Sequence, residues 1–162
     1  MNARLQHSFD SPIGRIHLTE ENGAITRLTW VSRETSPVRC GSETSPVLLE
    51  AERQVRAYFG KNLNRFDLPL AYDRGSAFER SVWDTMKEIP FGKLLTYGDI
   101  AERVGGVARA VGGACGANPI PLIIPCHRVV GSDGRLTGFS GDGGIATKQR
   151  LLDHESDQLS LF

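Results

Sequence analysis

A cysteine and a histidine lie side by side at the end of a proline-rich apolar stretch, residues 118–130. Three prolines precede or adjoin the pair, and each fixes φ and removes a backbone donor. A regular strand or a helix interior is therefore excluded there. We predict a stiff, buried connector that ends in a tight turn at Pro125–Cys126. Such a connector holds the thiol in one orientation, as a positioned nucleophile requires.

Adjacency does not by itself make Cys126 and His127 a catalytic pair. In an extended segment neighbouring side chains point to opposite faces, so a helical turn, a tight turn or a bridging water would have to bring the imidazole within reach of the sulfur. The alternative is that Cys126 is a small core residue, because free cysteine is among the most buried residue types. The prolines and the downstream pair His154–Glu155 favour the catalytic interpretation.

The segments before the cysteine have the pattern of paired short helices. Capping boxes predict helix starts after Ser76 and Thr96. Gly105–Gly106 separates the second of these helices from a third at about 107–114. Two short helices joined by a glycine turn indicate a helix-turn-helix, although the pattern alone does not distinguish a DNA-binding pair from a structural one.

Beyond the cysteine, the sequence predicts a hairpin and a closing helix. Val129–Val130 and Leu136–Thr137 flank Ser132–Arg135, and an Asp-Gly pair between short β runs is typical of a hairpin turn. This hairpin would be the wing of a winged helix. A glycine-rich loop follows, and the final helix is predicted over 145–154.

The first part of the chain shows strand and helix patterns without candidate chemistry. Short strands are predicted at Leu5–Phe9, Arg15–Thr19 and Ala24–Val31, with turn residues between them. A helix opens at Ser45–Pro46 and ends at Gly60. With a linker near residues 73–75, we predict an α+β protein with domains at 1–72 and 73–162.

Composition limits the classes of function. The chain of 162 residues is long enough for two small packed domains, and no apolar run approaches the length of a membrane span. The first seven residues lack the apolar region of a secretory signal. Three cysteines without metal-ligand spacing indicate free thiols in a reducing compartment. The net charge is zero, so any contact with nucleic acid must be a local patch that weakens as salt rises.

The sequence around Cys126 resembles the active-site signature of the O6-alkylguanine-DNA alkyltransferases. The signature is Pro125-Cys126-His127-Arg128-Val129, and the resemblance is dense from about Ser76 to Glu155. It is thinner before that, where Ser11-Pro12-Ile13-Gly14 is the main similarity. The further matching segments are Phe78–Trp83, Ile89–Pro90, Thr96–Gly98, Arg109–Ala114, Asn118–Pro119, Leu136–Gly138 and Leu151–Glu155.

The resemblance implies a fold and a reaction. The fold would be a small N-terminal antiparallel sheet with a helix, ribonuclease H-like, packed on a C-terminal winged helix-turn-helix domain. The reaction would be a stoichiometric, irreversible transfer of the alkyl group from O6-alkylguanine, and also O4-alkylthymine, to Cys126. The implied partner is double-stranded DNA carrying the alkylated base, which must be swung out of the duplex to be reached. No membrane partner, metal or organic cofactor is implied.

The resemblance also assigns roles to particular residues. Cys126 would be the nucleophile, His127 the base acting through a water, and Glu155 the carboxylate that orients the imidazole. Tyr97 would donate a hydrogen bond to the guanine, and Asn118 would brace the turn. Arg109 would fill the gap left by the flipped nucleotide. The remaining implied residues are Thr96, Tyr97, Ala110, Gly112 and Arg128 for DNA, and Val129, Phe139 and Ser140 for the extruded base.

Two other functions remain open from the residues alone. One is a non-catalytic protein that binds alkylated bases, similar to the alkyltransferase-like proteins. Those proteins have another residue in place of the cysteine, whereas this chain keeps Cys126. A thiol hydrolase would use Cys126 and His127 with multiple turnover, but it would leave the helix-turn-helix unexplained. We expect a cytoplasmic monomer, associated with the nucleoid in a prokaryote or located in the nucleus of a eukaryote, with cooperative assembly on DNA left open.

The chain departs from the family pattern at four places. The segment between Tyr97 and Arg109 is about two residues shorter than in the family pattern. This difference would change the position of the third helix and could change the role of Arg109. Phe139 replaces a common tyrosine. The loop at 141–144 is about two residues longer. Cys115 occupies a position where small or polar residues are usual, and it would be either a packing residue or a second site of alkylation or oxidation.

Overall fold

The computed structural model describes residues 4–31, 45–136 and 144–156, and these form two compact units. The first unit spans Met1–Asp73 and the second spans Arg74–Phe162. Strands dominate the first unit and helices the second. The predicted α+β class is confirmed.

The first unit contains a three-stranded antiparallel sheet. Its strands are β1 (Arg4–Ser11), β2 (Gly14–Glu21) and β3 (Ala24–Val31), in the order β1-β2-β3. Asn22 and Gly23 both have positive φ, which matches the two-residue hairpin turn predicted between β2 and β3. All three strands were predicted from the sequence, and each is longer than or equal to its predicted span.

A single helix covers one face of this sheet. Helix α1 (Pro46–Phe59) begins after Ser45, whose side chain accepts a hydrogen bond from the Leu48 amide. Leu48, Val55 and Tyr58 are buried on α1, as expected from their helical spacing. The core of this unit is apolar, and its buried strand residues are Phe9, Ile16, Leu18, Ile25 and Leu28.

The second unit contains four α-helices among its described residues, together with two short strands and a 3-10 turn. Both predicted capping boxes form, at the starts of the first and second helices. The elements in chain order are α2 (Ala77–Met86), β4 (Leu95–Thr96), α3 (Tyr97–Val104), α4 (Ala108–Gly116), a 3-10 turn (Cys126–Arg128), β5 (Val129–Val130) and α5 (Ile145–Ser156).

The turn between α3 and α4 is short and closely packed. Gly105 has a φ of +78°, a conformation that glycine adopts without strain. A Cβ at Gly106 would lie 2.9 Å from the ring of Phe78. The two glycines therefore let the shortened segment turn directly against α2. Helix α4 consequently begins after Val107, and Arg109 is its second residue.

The predicted wing hairpin is only partly present. A turn forms at 131–135, where the Gly131 amide donates to the Arg135 carbonyl at 2.8 Å. However, β5 pairs in parallel with β4, and Leu136 is not in a strand. Residues 137–143, which hold the rest of the predicted hairpin and the glycine-rich loop, lie outside the described residues. The pairing of β5 with β4 was not predicted, and the hairpin strand predicted at Leu136–Thr137 stays a prediction for the part that lies outside the described residues.

Two further observations concern the described residues as a whole. None of their helices is long and apolar enough to cross a membrane. Within the same ranges, no group of three or more histidine, cysteine or acidic side chains is placed to hold a metal ion.

Candidate active site

The turn that presents Cys126 is held by the side chain of Asn118. Its Nδ2 donates to the Ile124 carbonyl at 2.9 Å, and its Oδ1 accepts from the Ile120 amide at 2.9 Å. Leu122 has a φ of +75°, so the chain reverses between these two contacts. The Cys126 amide also donates to the Ile124 carbonyl, at 2.8 Å. The connector is a sharp, buried turn, as its prolines predicted.

His127 is tied to a carboxylate from the last helix. Its Nε2 lies 2.6 Å from Oε2 of Glu155, and both side chains are buried. The Glu155 carboxylate also accepts from Arg128, at 2.8 Å from Nε and 3.0 Å from Nη2. The Gly92 amide is 3.3 Å from the same carboxylate. One buried carboxylate thus fixes both residues that follow Cys126.

This network determines the tautomer of His127. Burial alone would raise the pKa of Glu155, but hydrogen bonds and charge from His127 and Arg128 hold it well below the usual range. Glu155 is therefore an ionised acceptor, and Nε2 of His127 carries the proton that it receives. Burial lowers the pKa of His127, so the ring rests neutral. Its buried Nδ1 has no hydrogen-bond partner within the described ranges, and it is left as a lone-pair acceptor.

Cys126 rests as a thiol. Its side chain is 4% exposed, and burial raises its pKa to about 11, against the opposing effects of a hydrogen bond from Asn118 and the charge of Lys148. At neutral pH the sulfur is protonated, and it needs a base before it can act as a nucleophile. Burial in this position is compatible with a catalytic role, because His127 with its neutral ring follows Cys126 in the same 3-10 turn and the charge of Lys148 reaches the sulfur.

Lys148 is a residue that the sequence did not indicate. It lies on α5, is 1% exposed, and its Nζ donates to the Tyr97 hydroxyl at 3.4 Å. Burial lowers its pKa, and the two nearby thiols Cys115 and Cys126 oppose that shift. Lys148, Leu151 and Glu155 are buried at helical spacing on α5. The helical spacing of these three residues could have indicated that Lys148 faces inward. However, lysine is rarely fully buried, so the sequence alone favoured an exposed position.

A second thiol is part of the same surroundings. Cys115 is buried on α4, its Sγ is 3.6 Å from Sδ of Met86, and burial raises its pKa to about 12. Its carbonyl accepts from the Asn118 amide at 3.3 Å, so the residue that braces the Cys126 turn also contacts Cys115.

The residues expected to contact DNA fall into two groups. Arg109 and Ala110 are exposed in the first turn of α4, and Gly112 follows them half-buried. Thr96 and Tyr97 lie at the start of α3, where the Thr96 side chain accepts a hydrogen bond from the Asp99 amide. These helix starts are therefore available at the surface of the second unit.

Two family models match almost the whole chain. The ribonuclease-like domain of 6-O-methylguanine DNA methyltransferase matches residues 5–72, and the DNA binding domain of the same family matches residues 77–157. The chain belongs to the 6-O-methylguanine DNA methyltransferase family. The two matched ranges correspond to the two compact units.

Individual members of the family are similar over nearly their full length. A methylated-DNA–protein-cysteine methyltransferase of Mycolicibacterium paratuberculosis is 43% identical, over 96% of both chains. One from Methanosarcina acetivorans is 40% identical, over 91% of this chain and 95% of that one. The crystal structure of Mycobacterium tuberculosis O6-methylguanine methyltransferase has a TM-score of 0.82 at 35% identity, over 99% of both chains. A complex of the protein from that organism with DNA has a TM-score of 0.81 at 37% identity, over 94% and 93% of the two chains.

Four of the site residues expected from the family resemblance need comment. Arg128 was expected to contact DNA; the residue is 6% exposed, and its guanidinium donates to Glu155 and, at 2.6 Å, to the Ile89 carbonyl. The structure therefore gives Arg128 a buried role beside Glu155, and its contact with DNA stays a prediction. Phe139 and Ser140 lie outside the described residues, and their predicted contacts with the base stay predictions. Val129 is fully buried in β5.

Proposed function

We propose that this protein repairs DNA by moving the alkyl group of an O6-alkylguanine onto the sulfur of Cys126. The observation that carries the assignment is the arrangement of His127, whose Nε2 is held by Glu155 while its buried Nδ1 is open to accept a proton. This arrangement lies one residue from a buried thiol, in a member of a DNA methyltransferase family. An imidazole poised in this way next to a cysteine is the requirement for nucleophilic activation.

Activation of the thiol begins with proton transfer to His127. The proposal places one water between Sγ of Cys126 and Nδ1 of His127 as the proton relay, because Nδ1 has no hydrogen-bond partner among the described residues. Glu155 stabilises the imidazolium that results, and Arg128 keeps Glu155 ionised and in place. The positive charge of Lys148 stabilises the thiolate.

The displacement step forms one bond and breaks another. The thiolate attacks the alkyl carbon in line, the sulfur–carbon bond forms, and the carbon–O6 bond breaks with its electron pair left on guanine. Tyr97 donates its hydroxyl hydrogen bond to this developing anion, and Lys148 supports Tyr97 from the other side. The product is a thioether at Cys126, which water does not reverse, so each molecule acts once.

Access to the lesion requires the base to leave the helical stack. A sulfur at the bottom of a buried turn cannot reach O6 inside a duplex. Arg109, exposed in the first turn of α4, enters the vacated space, and the α3 and α4 starts contact the backbone. The proposal requires one copy of the protein at each lesion, because the cysteine, the histidine and the glutamate all lie in the second unit.

The experiment that tests this function is a mass measurement on the intact protein. After incubation with duplex DNA that contains one O6-methylguanine, the wild-type protein should gain one methyl group per molecule, and Cys126→Ala should gain none. Absence of any gain in the wild type, with binding to the lesion retained, would indicate a binding protein. Repeated turnover without a stable adduct would indicate a hydrolase.

The role of Arg109 makes a separate prediction. Arg109→Ala should slow transfer from duplex DNA by about tenfold, because the flipped state loses its support, at a cost of about 1–3 kcal/mol. Transfer from free O6-benzylguanine should change by less than about twofold, since no base has to be flipped. Arg103→Ala, at the end of α3, is the matched control, and transfer rates on both substrates are the measurement. Equal losses on the two substrates would show that Arg109 is a structural residue.

A further inference from the structure

A turn at residues 89–92, between α2 and β4, lies against the buried ion pair of the active site. The Lys93 amide donates to the Pro90 carbonyl at 3.1 Å and closes this turn. Gly92 has a φ of +78°, which is typical of the third residue of a type II turn. Ile89–Pro90 is one of the segments that match the family pattern, and the chemistry described above gives the turn no part of its own.

The backbone of the turn binds both partners of the ion pair. The Ile89 carbonyl accepts from Nη1 of Arg128 at 2.6 Å. The Gly92 amide, which the bond that closes the turn does not use, donates to Oε1 of Glu155 at 3.3 Å. A carbonyl oxygen thus faces the cation and an amide N–H faces the anion, and hydrogen bonds to ionised groups are the stronger kind. One short turn therefore fixes where the two charges meet.

The side chain of Phe91 adds a contact that the backbone cannot make. The ring centroid lies 5.8 Å from Cζ of Arg128, within the range of a cation–π contact. The same ring meets the ring of His154 edge to face, with the centroids 6.3 Å apart and the planes at 82°. Phe91 is half-buried, whereas Arg128 is 6% exposed. The ring therefore covers the guanidinium on a side where solvent is near.

We infer that Phe91 is a positioning residue for alkyl transfer, which keeps Arg128 turned toward Glu155 and shields their ion pair from water. An ion pair weakens when water reaches it, because the effective dielectric constant around the charges rises. With Arg128 displaced, Glu155 loses a partner and holds His127 less firmly. The inference deepens the proposed function and rests on it for the effect on the transfer rate.

The ring pKa of His127 tests this role without any substrate. Burial lowers that pKa most, the charges of Arg128 and Lys148 lower it further, and Glu155 raises it. In Phe91→Ala, water should reach the network and Arg128 should move away, so the pKa of His127 should rise toward its ordinary value of 6.5. Phe91→Tyr keeps the ring and should keep the wild-type pKa. Nuclear magnetic resonance titration of labelled histidines between about pH 4 and pH 8 is the measurement.

Single-turnover transfer from free O6-benzylguanine tests the same residue in the reaction. Phe91→Ala should be slower by about tenfold at neutral pH, because the imidazole is less well oriented. The difference should widen as the pH falls, since a larger fraction of His127 is protonated in the variant. Phe91→Tyr should stay within about twofold of wild type. Leu94→Ala removes a side chain that is 53% exposed in the same connection, and as the matched control it should change neither the rate nor its pH dependence.

The outcomes distinguish this inference from the proposed function and from a structural role. If the wild type gains no methyl group from O6-methylguanine in DNA, the proposed function fails, and the titration of His127 still decides the role of Phe91. An unchanged pKa of His127 in Phe91→Ala would overturn the inference. A lower Tm with the same loss of rate at every pH would show that Phe91 supports only the fold. A wild-type rate in Phe91→Ala, or a loss that Phe91→Tyr does not restore, would also contradict it.

Discussion

Replacing Glu155 with glutamine is expected to slow alkyl transfer by about 100-fold or more and to lower the free energy of unfolding by about 3–5 kcal/mol. The carboxylate is buried and receives hydrogen bonds from His127, Arg128 and the Gly92 amide. A glutamine of the same size removes the charge that compensates Arg128. The NH2 group of the glutamine side chain would also face the N–H groups of His127 and Arg128, which are themselves donors. The tautomer of His127 would then no longer be fixed.

The acid dependence of stability should change in the same variant. The pKa of Glu155 in the folded protein is held below its ordinary value of 4.5. A depressed carboxyl pKa contributes stability that is present above the unfolded value and is lost as pH falls through the folded value. The wild-type protein should therefore lose stability on acidification below about pH 4.5, and Glu155→Gln should lose less over that range.

The matched control lies two residues earlier on the same helix. Asp153 is exposed, accepts a hydrogen bond from Gln149 at 2.7 Å, and is the other acidic residue near His154. Asp153→Asn should leave the transfer rate and Tm close to those of wild type. Thermal unfolding between pH 3 and pH 7, together with single-turnover transfer rates, measures both effects. If the two variants behave alike, Glu155 does not hold the active site.

The sequence predicted the chemistry of the site better than its electrostatics. Cys126 and His127 were recognisable from their neighbours, and the prolines predicted the sharp turn that presents them. The pairing of Glu155 with His127 came from the family resemblance, since a glutamate near a helix end is ordinarily solvated. Sequence gives the type of a side chain, whereas burial decides whether its charge matters.

Arg128 shows what the local sequence does not predict about a side chain. The resemblance implies a contact between Arg128 and DNA, whereas its bonds to Glu155 and the Ile89 carbonyl, made from within the 3-10 turn, were not predicted. Direction of a side chain in a tight turn depends on φ and ψ, which local sequence does not fix. The Asp-Gly cue had a similar outcome, because it predicted the turn at 131–135 but not the parallel pairing of β5 with β4. That pairing joins strands that are distant in the chain.

Lys148 gives the second large prediction, in which activity and stability move in different directions. Lys148→Met should slow transfer by about tenfold or more, because the thiolate loses a stabilising charge and one pKa unit corresponds to a factor of ten. The pKa of Cys126, already raised to about 11, should rise further. Tyr97 would also lose the contact with Nζ at 3.4 Å, which supports it as a donor.

Stability should not fall with activity in this variant. Burial lowers the pKa of Lys148 below its ordinary value of 10.5, so the unfolded chain binds this proton more readily than the folded one. A lysine in that state reduces stability below the unfolded pKa, and methionine of similar length removes the penalty. The free energy of unfolding at neutral pH should therefore stay equal or increase, as at other sites where function requires a buried charge.

Three measurements separate this interpretation from a general disruption. Ultraviolet absorbance of the thiolate follows the pKa of Cys126, single-turnover assays follow transfer, and thermal unfolding follows stability. Arg150→Met, at an exposed position of the same helix, is the control and should change none of them. In a double-mutant cycle with Tyr97→Phe, the two losses should be less than additive, because both remove the same support for the leaving base. Strict additivity would mean that Lys148 does not act through Tyr97. An unchanged pKa of Cys126 together with a marked fall in Tm for Lys148→Met would mean that Lys148 acts through the fold and not through its charge.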